Sequence, residues 1–336
     1  MGQLDTRTLG SQGPAITTVG FGAWAVGGDW LFGWGEQDDR DSIAAIHHAL
    51  DLGINWIDTA AVYGLGHSEE VVRRALDGMT DRPLVFTKCG LVWDTTAERP
   101  RPKENLQPAE IRRECEDSLR RLGIEQIDLY QFHWPDETGT PIEESWTVMA
   151  ELVAEGKVRW AGVSNFDAEL LSRCEAIMHV DSLQPPFNAV QRGFAGETLR
   201  WCRDHGTGVI VYSPMMSGLL TGRFSAERLA SLPETDWRHG YAEFQDPKLS
   251  RNLALQDAMR PVAERHGVGV AAVAVAWTLA WDGVTGAIVG ARNAEQVDGW
   301  AASGSLSFSP DELDELSAAI VASGAGEGPS HPPREE

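Results

Sequence analysis

Cysteine is scarce in this 336-residue chain: Cys89, Cys115, Cys174 and Cys202 are the only four, and no two approach a C-x-x-C spacing. That scatter argues against a zinc site or a redox pair and fits a reducing cytoplasm. Positive charge is also in short supply. Twenty-eight basic residues face 50 acidic ones, a formal charge of −22, which repels phosphate backbones and anionic membrane surfaces. Neither nucleic acid nor membrane is an expected partner. A dinucleotide is not excluded, because helix termini and one or two basic side chains act within a Debye length of about 8 Å. No basic, apolar signal segment opens the chain, and the longest run nearly free of polar residues, Val268 to Trp281, suits a buried helix better than a membrane span. A soluble, cytoplasmic protein is the expectation. Finally, no G-x-G-x-x-G turn follows the first strand, which weighs against an open doubly wound dinucleotide fold.

Apolar side chains make up 42% of the residues, enough for a large core without staples. Length alone suggests about two domains, but the order of motifs indicates one. Short β-rich runs alternate with longer segments of helical periodicity. The strands read this way are Val19–Gly22, Ile54–Asp58, Leu84–Lys88, Ile127–His133, Trp160–Ser164, Ser182–Gln184, Val209–Tyr212 and Ala287–Val289. Between them, Ile43, Ile46, His47 and Leu50 share one helical face, as do Ile111, Cys115, Leu119 and Leu122, giving crossovers long enough to join parallel strands. The pattern predicts an α/β fold, a single (β/α)₈ barrel over residues 1–322. Around Arg7–Gly10 and Ile16–Val19 a Gly/Pro turn predicts a small N-terminal hairpin. Helix starts are predicted at Thr140-Pro141-Ile142-Glu143 and Ser309-Pro310-Asp311-Glu312, each with a capping hydroxyl, a proline and a glutamate three residues on. The second opens an extra C-terminal helix, and residues 323–336 are expected to be a disordered tail.

In a parallel barrel, reacting groups collect at the carboxyl ends of the strands. Asp58, Lys88 and His133 end the second, third and fourth predicted strands, and Tyr63 lies five residues beyond Asp58. Each has a bland explanation as a turn cap, a solvated charge, a packing ring or a satisfied core histidine. Together they make a coherent centre. A phenol with an ordinary pKa of about 10 needs a fixed positive charge nearby to act as an acid near neutrality. Lys88 supplies the charge, Asp58 keeps Lys88 cationic, and His133 donates to a substrate oxygen.

The runs Ile57-Asp58-Thr59-Ala60-Ala61-Val62-Tyr63-Gly64-Leu65-Gly66-His67-Ser68-Glu69, Thr87-Lys88 and Gln131-Phe132-His133 resemble the signature of the aldo-keto reductase superfamily. The resemblance extends from about Val19 to Trp300. It implies a barrel oxidoreductase with Asp58, Tyr63, Lys88 and His133 as its catalytic tetrad, and NADPH/NADP+ as cofactor, with NADH as the alternative. Ala23, Trp24 and Asp58 then sit by the nicotinamide, Ser164, Asn165 and Gln184 bond its carboxamide, and Tyr212 stacks on its ring. Ser213, Pro214, Met215, Ser217, Gly218 and Leu219 resemble the pyrophosphate loop, where small residues let backbone amides approach an anion, with Arg223 adding charge. Gly290, Arg292 and Gln296 resemble the remaining anchor, Arg292 being the candidate for the 2′-phosphate. The family often carries Glu-Asn near the adenine where this chain has Gly299 and Trp300, so the adenine contacts depart from the pattern.

Trp24, Tyr63, Trp93, His133 and Trp134 are candidates for the substrate pocket, with Trp30 and Trp34 following Trp24 in its loop. The segment from Gly222 to Leu249, with Trp237, Arg238, Tyr241 and Phe244, is long for a connection and is a candidate lid. The expected activity is reversible reduction of small aldehydes or ketones without a metal. Two rivals stand beside it. A nucleotide-binding redox sensor with little turnover carries the same site, and a metal hydrolase could use His133 and Asp58. The second lacks a His-x-His after the early strands to complete a ligand set.

Overall fold

The computed structural model describes residues 4–97 and 100–333. The chain opens with an antiparallel hairpin, β1 (Thr6–Thr8) and β2 (Ala15–Thr17). There follow β3 (Val19–Gly22), β4 (Trp56–Asp58) and β5 (Leu84–Cys89). A small antiparallel pair, β6 (Leu91–Val92) and β7 (Lys103–Glu104), interrupts the series. It resumes with β8 (Ile127–Phe132), β9 (Val158–Ser164), β10 (Ser182–Gln184), β11 (Gly208–Val211) and β12 (Gly286–Gly290). Eight of these close into a parallel barrel in the order β10-β11-β12-β3-β4-β5-β8-β9. They are the eight strands expected from the sequence, with ends moved by at most two residues, and helices cross between them on the outside.

Side chains alternate across each strand, so every second residue enters the barrel. At its lower end Trp56, Phe86, Leu129, Ile210 and Ile288 meet there, capped from below by Leu9 and Ile16 of the hairpin. Trp56 fills the space that Gly20 leaves open: a Cβ on Gly20 would sit 2.1 Å from the indole. The indole N–H donates to the Thr17 carbonyl at 2.8 Å, so this large aromatic is buried with its polar atom satisfied.

The second core lies between the strands and the helices. Ile111, Cys115, Leu119 and Leu122 of helix Pro108–Leu122 are all buried in it. Helix Val270–Leu279 is buried on every side, as its unbroken apolar run requires. No helix among the described residues is long and apolar enough to cross a membrane.

Two local expectations are corrected. Helix Ile142–Ala154 starts on Pro141 with no side-chain cap; the Thr140 hydroxyl bonds that of Thr138 instead, in a loop organised by Asp136. By contrast, Ser309 and Glu312 form the expected capping box at helix Pro310–Ser323. The stretch expected to be a disordered tail is packed as far as it is described. Arg192, itself buried, donates to the carbonyls of Ala325 and Gly328, Gln191 bridges Glu327, and Ser317 bonds Ser330. Polar composition suggested disorder, but a buried guanidinium needs acceptors and backbone carbonyls provide them. Residues 334–336 lie outside the described residues.

Candidate active site

Two residues above the apolar layer, the inward positions turn polar. Asp58 on β4, Lys88 on β5, Gln131 on β8, Ser164 on β9 and Gln184 on β10 are all buried there. Register places Lys88 beside Gln131 and Ser164 beside Gln184. The Lys88 ammonium donates to Asp58 Oδ1 at 2.5 Å, to the Thr59 carbonyl at 2.8 Å and to Tyr63 Oη at 3.4 Å. Tyr63 reaches it from the tight turn Tyr63–Gly66 that follows β4. His133 lies just beyond β8, its backbone N–H bonded to the Cys89 carbonyl, and its ring stands edge-on to Tyr63 with centroids 5.7 Å apart. The four side chains selected from strand-end spacing thus converge at one end of the barrel.

The electrostatics differ from the expectation in one respect. The phenol of Tyr63 is not drawn down towards neutrality; burial, and after it the charge of Asp58, pushes it well above its ordinary value. The reason is that Lys88 is already neutralised by the closer Asp58 and meets Tyr63 only at 3.4 Å. Burial lowers Lys88, while Asp58, and less strongly Glu69, pull it back up. Burial, aided by the charge of Lys88, takes His133 well below its usual range, so the imidazole is neutral.

A layer of bonds around the four holds them in place. Thr87 donates to buried Glu69 at 2.6 Å, and Arg121 holds the other oxygen at 2.6 Å. The Ser68 hydroxyl meets Thr59 and donates to the Ala23 carbonyl. The helix after Tyr63, His67–Leu76, is thereby fastened to β5 and to the end of β3.

On the far side of the mouth, the Ser164 hydroxyl donates to the Gln184 carbonyl at 2.7 Å, and Asn165 Nδ2 donates to the His133 carbonyl at 2.9 Å. Tyr212 Oη donates to Asn165 Oδ1 at 2.9 Å, which joins both halves of the site. Asn165, Ser213, Met216 and Ser217 all have positive φ, between 48° and 63°. Such backbone is disfavoured for these residue types and persists where surrounding structure imposes it. Here it lies in two loops on one rim, and the Gly218 backbone among them is open, with nothing within 4 Å of where a Cβ would be. The Met216, Gly218 and Leu219 N–H groups bond carbonyls within the turn, so an anion here would meet the amides of Met215 and Ser217. Pro214 and Leu219 are buried under this loop, and Met215 packs against the core.

Further out, the Arg292 guanidinium donates to Gln37 Oε1 at 2.8 Å and to the Glu36 carbonyl at 2.5 Å, while its backbone N–H bonds Gln296 Oε1. Gly290, ending β12, is exposed, and exposed Arg223 faces Glu295 at 3.8 Å.

The aromatic residues sort differently from the expectation. Trp24 meets Trp34 at 5.4 Å and Trp237 at 5.8 Å, Trp34 meets Trp237 at 5.9 Å, and the Arg238 guanidinium lies 4.6 Å from the Trp34 ring. Trp30 approaches Tyr63 at 6.3 Å. Segment 222–249 therefore reaches the loop after β3 by direct ring contact. Trp93 is half-buried beyond β6, and Trp134 is 41% exposed; neither has a ring partner among the described residues. Gln131 was not among the site candidates read from the sequence, and although Trp34 and the lid residue Trp237 were singled out there, their contact with each other and with Trp24 was not expected. For the tryptophans, helical or strand spacing carries no signal of a contact made across two loops. For Gln131, the signal was an amide on the same strand face as the apolar Leu129.

A concavity of about 900 Å³ opens at the opposite end of the barrel, lined by Gln12, Asn55, Arg82 and Trp160 among others. None of the converging groups is there, and in a parallel barrel chemistry collects at the strand carboxyl ends.

The Aldo/keto reductase family model matches residues 18–321. The chain is 35% identical over 298 residues to the aldo-keto reductase YhdN of Bacillus subtilis, spanning 88% of this chain and 87% of that protein. It is 34% identical over 299 residues to the NADH-specific methylglyoxal reductase of Escherichia coli, spanning 86% and 90%. The solved glycerol dehydrogenase AKR11B4 of Gluconobacter oxydans superposes with a TM-score of 0.84 at 39% identity, covering 96% of this chain and 95% of that one. Barrel, strand-end constellation and sequence agree across nearly the whole chain, which belongs to the aldo/keto reductase family of nicotinamide-dependent oxidoreductases.

Proposed function

We propose that the protein is an NADPH-dependent reductase of small aldehydes and ketones in which Tyr63 is the proton donor. The observation that carries the reading is the buried chain Asp58–Lys88–Tyr63 beside neutral His133. Tyr63 keeps its proton across the ordinary pH range; it gives it up to an oxygen that becomes alkoxide-like, a stronger base than a phenolate. Lys88 then faces the phenolate that remains, and its charge stabilises the negative charge that builds up on Tyr63. Neutral His133 donates one hydrogen bond to the same substrate oxygen without adding a second cation beside Lys88. The nicotinamide, when bound, supplies the hydride to the carbonyl carbon.

The residues present fit that cofactor. Gln184, Ser164 and Asn165 offer amide and hydroxyl groups for the carboxamide, and Tyr212 offers a ring for stacking. The strained turn 213–218 offers backbone amides for the pyrophosphate, with Arg223 at its margin. Gln296 braces the Arg292 backbone, and the Arg292 guanidinium uses only two of its five N–H donors on Gln37 and Glu36, leaving others for a 2′-phosphate. This is the support for NADPH over NADH, and because one relative is named NADH-specific, both belong in the test. Trp24, Trp34 and Trp237 pack together beside the loop after β3, and an aromatic wall there would suit a small substrate.

The test follows oxidation of NADPH and of NADH with a panel of small aldehydes and ketones, for wild type and Tyr63→Phe. We expect wild-type turnover that falls about 10²–10⁴-fold in the variant while nucleotide affinity stays within twofold or so. Tight nucleotide binding without turnover on any carbonyl would replace the reading with that of a redox sensor.

A further inference from the structure

We propose that Gln131 is a positioning residue for the cofactor: it clamps the side-chain amide of Gln184 so that the Gln184 oxygen alone is left to receive the nicotinamide carboxamide. This rests on the reading of Gln184 given above.

The argument starts from Asp58, which as a carboxylate offers only acceptors. Oδ1 takes the Lys88 ammonium at 2.5 Å. Oδ2 receives Gln184 Nε2 at 2.9 Å and Gln131 Nε2 at 3.4 Å. Whichever end of each amide faces a carboxylate must be its nitrogen, so both amides are oriented by chemistry. The second hydrogen of Gln184 Nε2 goes to Gln131 Oε1 at 3.2 Å. Both hydrogens of that nitrogen are then committed, and among the described residues nothing donates to Gln184 Oε1. An acceptor with no donor, at the barrel mouth, selects the NH₂ end of a carboxamide.

Asp58 alone would pin Gln184 at one atom and leave its amide plane free to turn. Gln131 adds the second point of hold, so the order is present before the cofactor arrives. Gln131 is wholly buried, and the neighbouring strand is bare where its side chain passes. Gly162 is its register partner on β9, and a Cβ there would lie 3.2 Å from Gln131 Cγ and 2.2 Å from the Ser182 hydroxyl. The barrel thus makes room for an amide two residues above Leu129, where an aliphatic side chain would pack with no polar atom to satisfy.

Gln131→Met keeps length and volume but removes both amide bonds. Binding of NADPH, NADH and ADP-ribose, which lacks the nicotinamide, is measured by quenching of tryptophan fluorescence, with thermal melting in parallel. We expect NADPH and NADH to weaken about 3- to 10-fold and ADP-ribose to be unaffected. Equal weakening of all three, or of none, would overturn the proposal. Should Gln131→Met fail to fold, Gln131→Asn, which keeps the amide but withdraws it by one methylene, must show the same selective loss. Failure of the wild type to bind either nucleotide would instead strike the function proposed above, so the two failures are told apart.

Discussion

Along β4, β5 and β8 the side chain entering the barrel changes character in a single step of two residues: Trp56 to Asp58, Phe86 to Lys88, Leu129 to Gln131. The lower layer is closed by apolar contact, with the one indole N–H in it bonded to backbone. The upper layer is held by directed bonds: an ammonium with three acceptors, a carboxylate with three donors, and two amides locked together. The same eight strands therefore support two kinds of interior. The lower one is stabilised by area removed from water. The upper one is organised at the expense of desolvating charge, and such a pair is weak evidence of stability. The difference teaches that fold and chemistry are carried by alternate residues of the same short segments, one pair apart.

The contrast can be broken most severely from above. Lys88→Met places an apolar side chain in the polar layer and strands Asp58; turnover should fall by about 10²–10⁴-fold, and chemical denaturation should show a loss of roughly 3–5 kcal/mol. Adding Asp58→Asn should return part of that stability without returning activity. If the double variant were no more stable than the single one, an uncompensated charge would not be the cause. From below, Phe86→Ala should lose about 3–5 kcal/mol through its cavity while kcat changes little once the protein is folded, because the Phe86 side chain makes no directed bond and its carbonyl, which accepts from the Thr59 N–H at 2.8 Å, is kept. A kcat loss as large as that of Lys88→Met would show the two layers to be one.

A smaller effect concerns pH. The Lys88 ammonium is held up chiefly by Asp58 against burial. Asp58→Asn removes that support, so the pKa of Lys88 falls further and the alkaline decline in kcat should begin at lower pH than in wild type. A profile unmoved by the substitution would separate the decline from Lys88.

The smallest effect lies just outside the barrel wall. Glu114 accepts from the Gly90 N–H at 3.1 Å, and burial pushes its carboxyl up to about 8, the Gly90 bond pulling the other way. A carboxyl raised on folding stabilises the protein below its unfolded value near 4.5, and that contribution is lost as pH rises through about 8. Glu114→Gln should therefore raise Tm by a few degrees or so above pH 8 relative to wild type, with the gap closing below about pH 5.

Much of this was legible in advance because period-two and helical patterns are local. The barrel strands, the helices Asp39–Asp51 and Pro108–Leu122, and the meeting of Asp58, Tyr63, Lys88 and His133 all follow from where each residue falls in its own segment. What was not legible depends on partners distant in sequence. Gln131 takes its meaning from Gln184, 53 residues away. Trp237 takes its meaning from Trp24 and Trp34, and the packed tail from Arg192. The direction in which Tyr63 shifts depends on how far Lys88 is already spent on Asp58, a matter of ångströms that a spacing does not contain. The absent cap at Thr140 is the local exception: a hydroxyl, a proline and a glutamate stood at the right intervals, and a neighbouring threonine and Asp136 competed more effectively.

The hairpin at the start of the chain has one more consequence. With Leu9 and Ile16 set against Trp56 and Phe86, apolar side chains close the lower end of the barrel. On the function proposed above, cofactor, substrate and product would all enter and leave at the upper end, so that the molecule to enter first would be the last to leave.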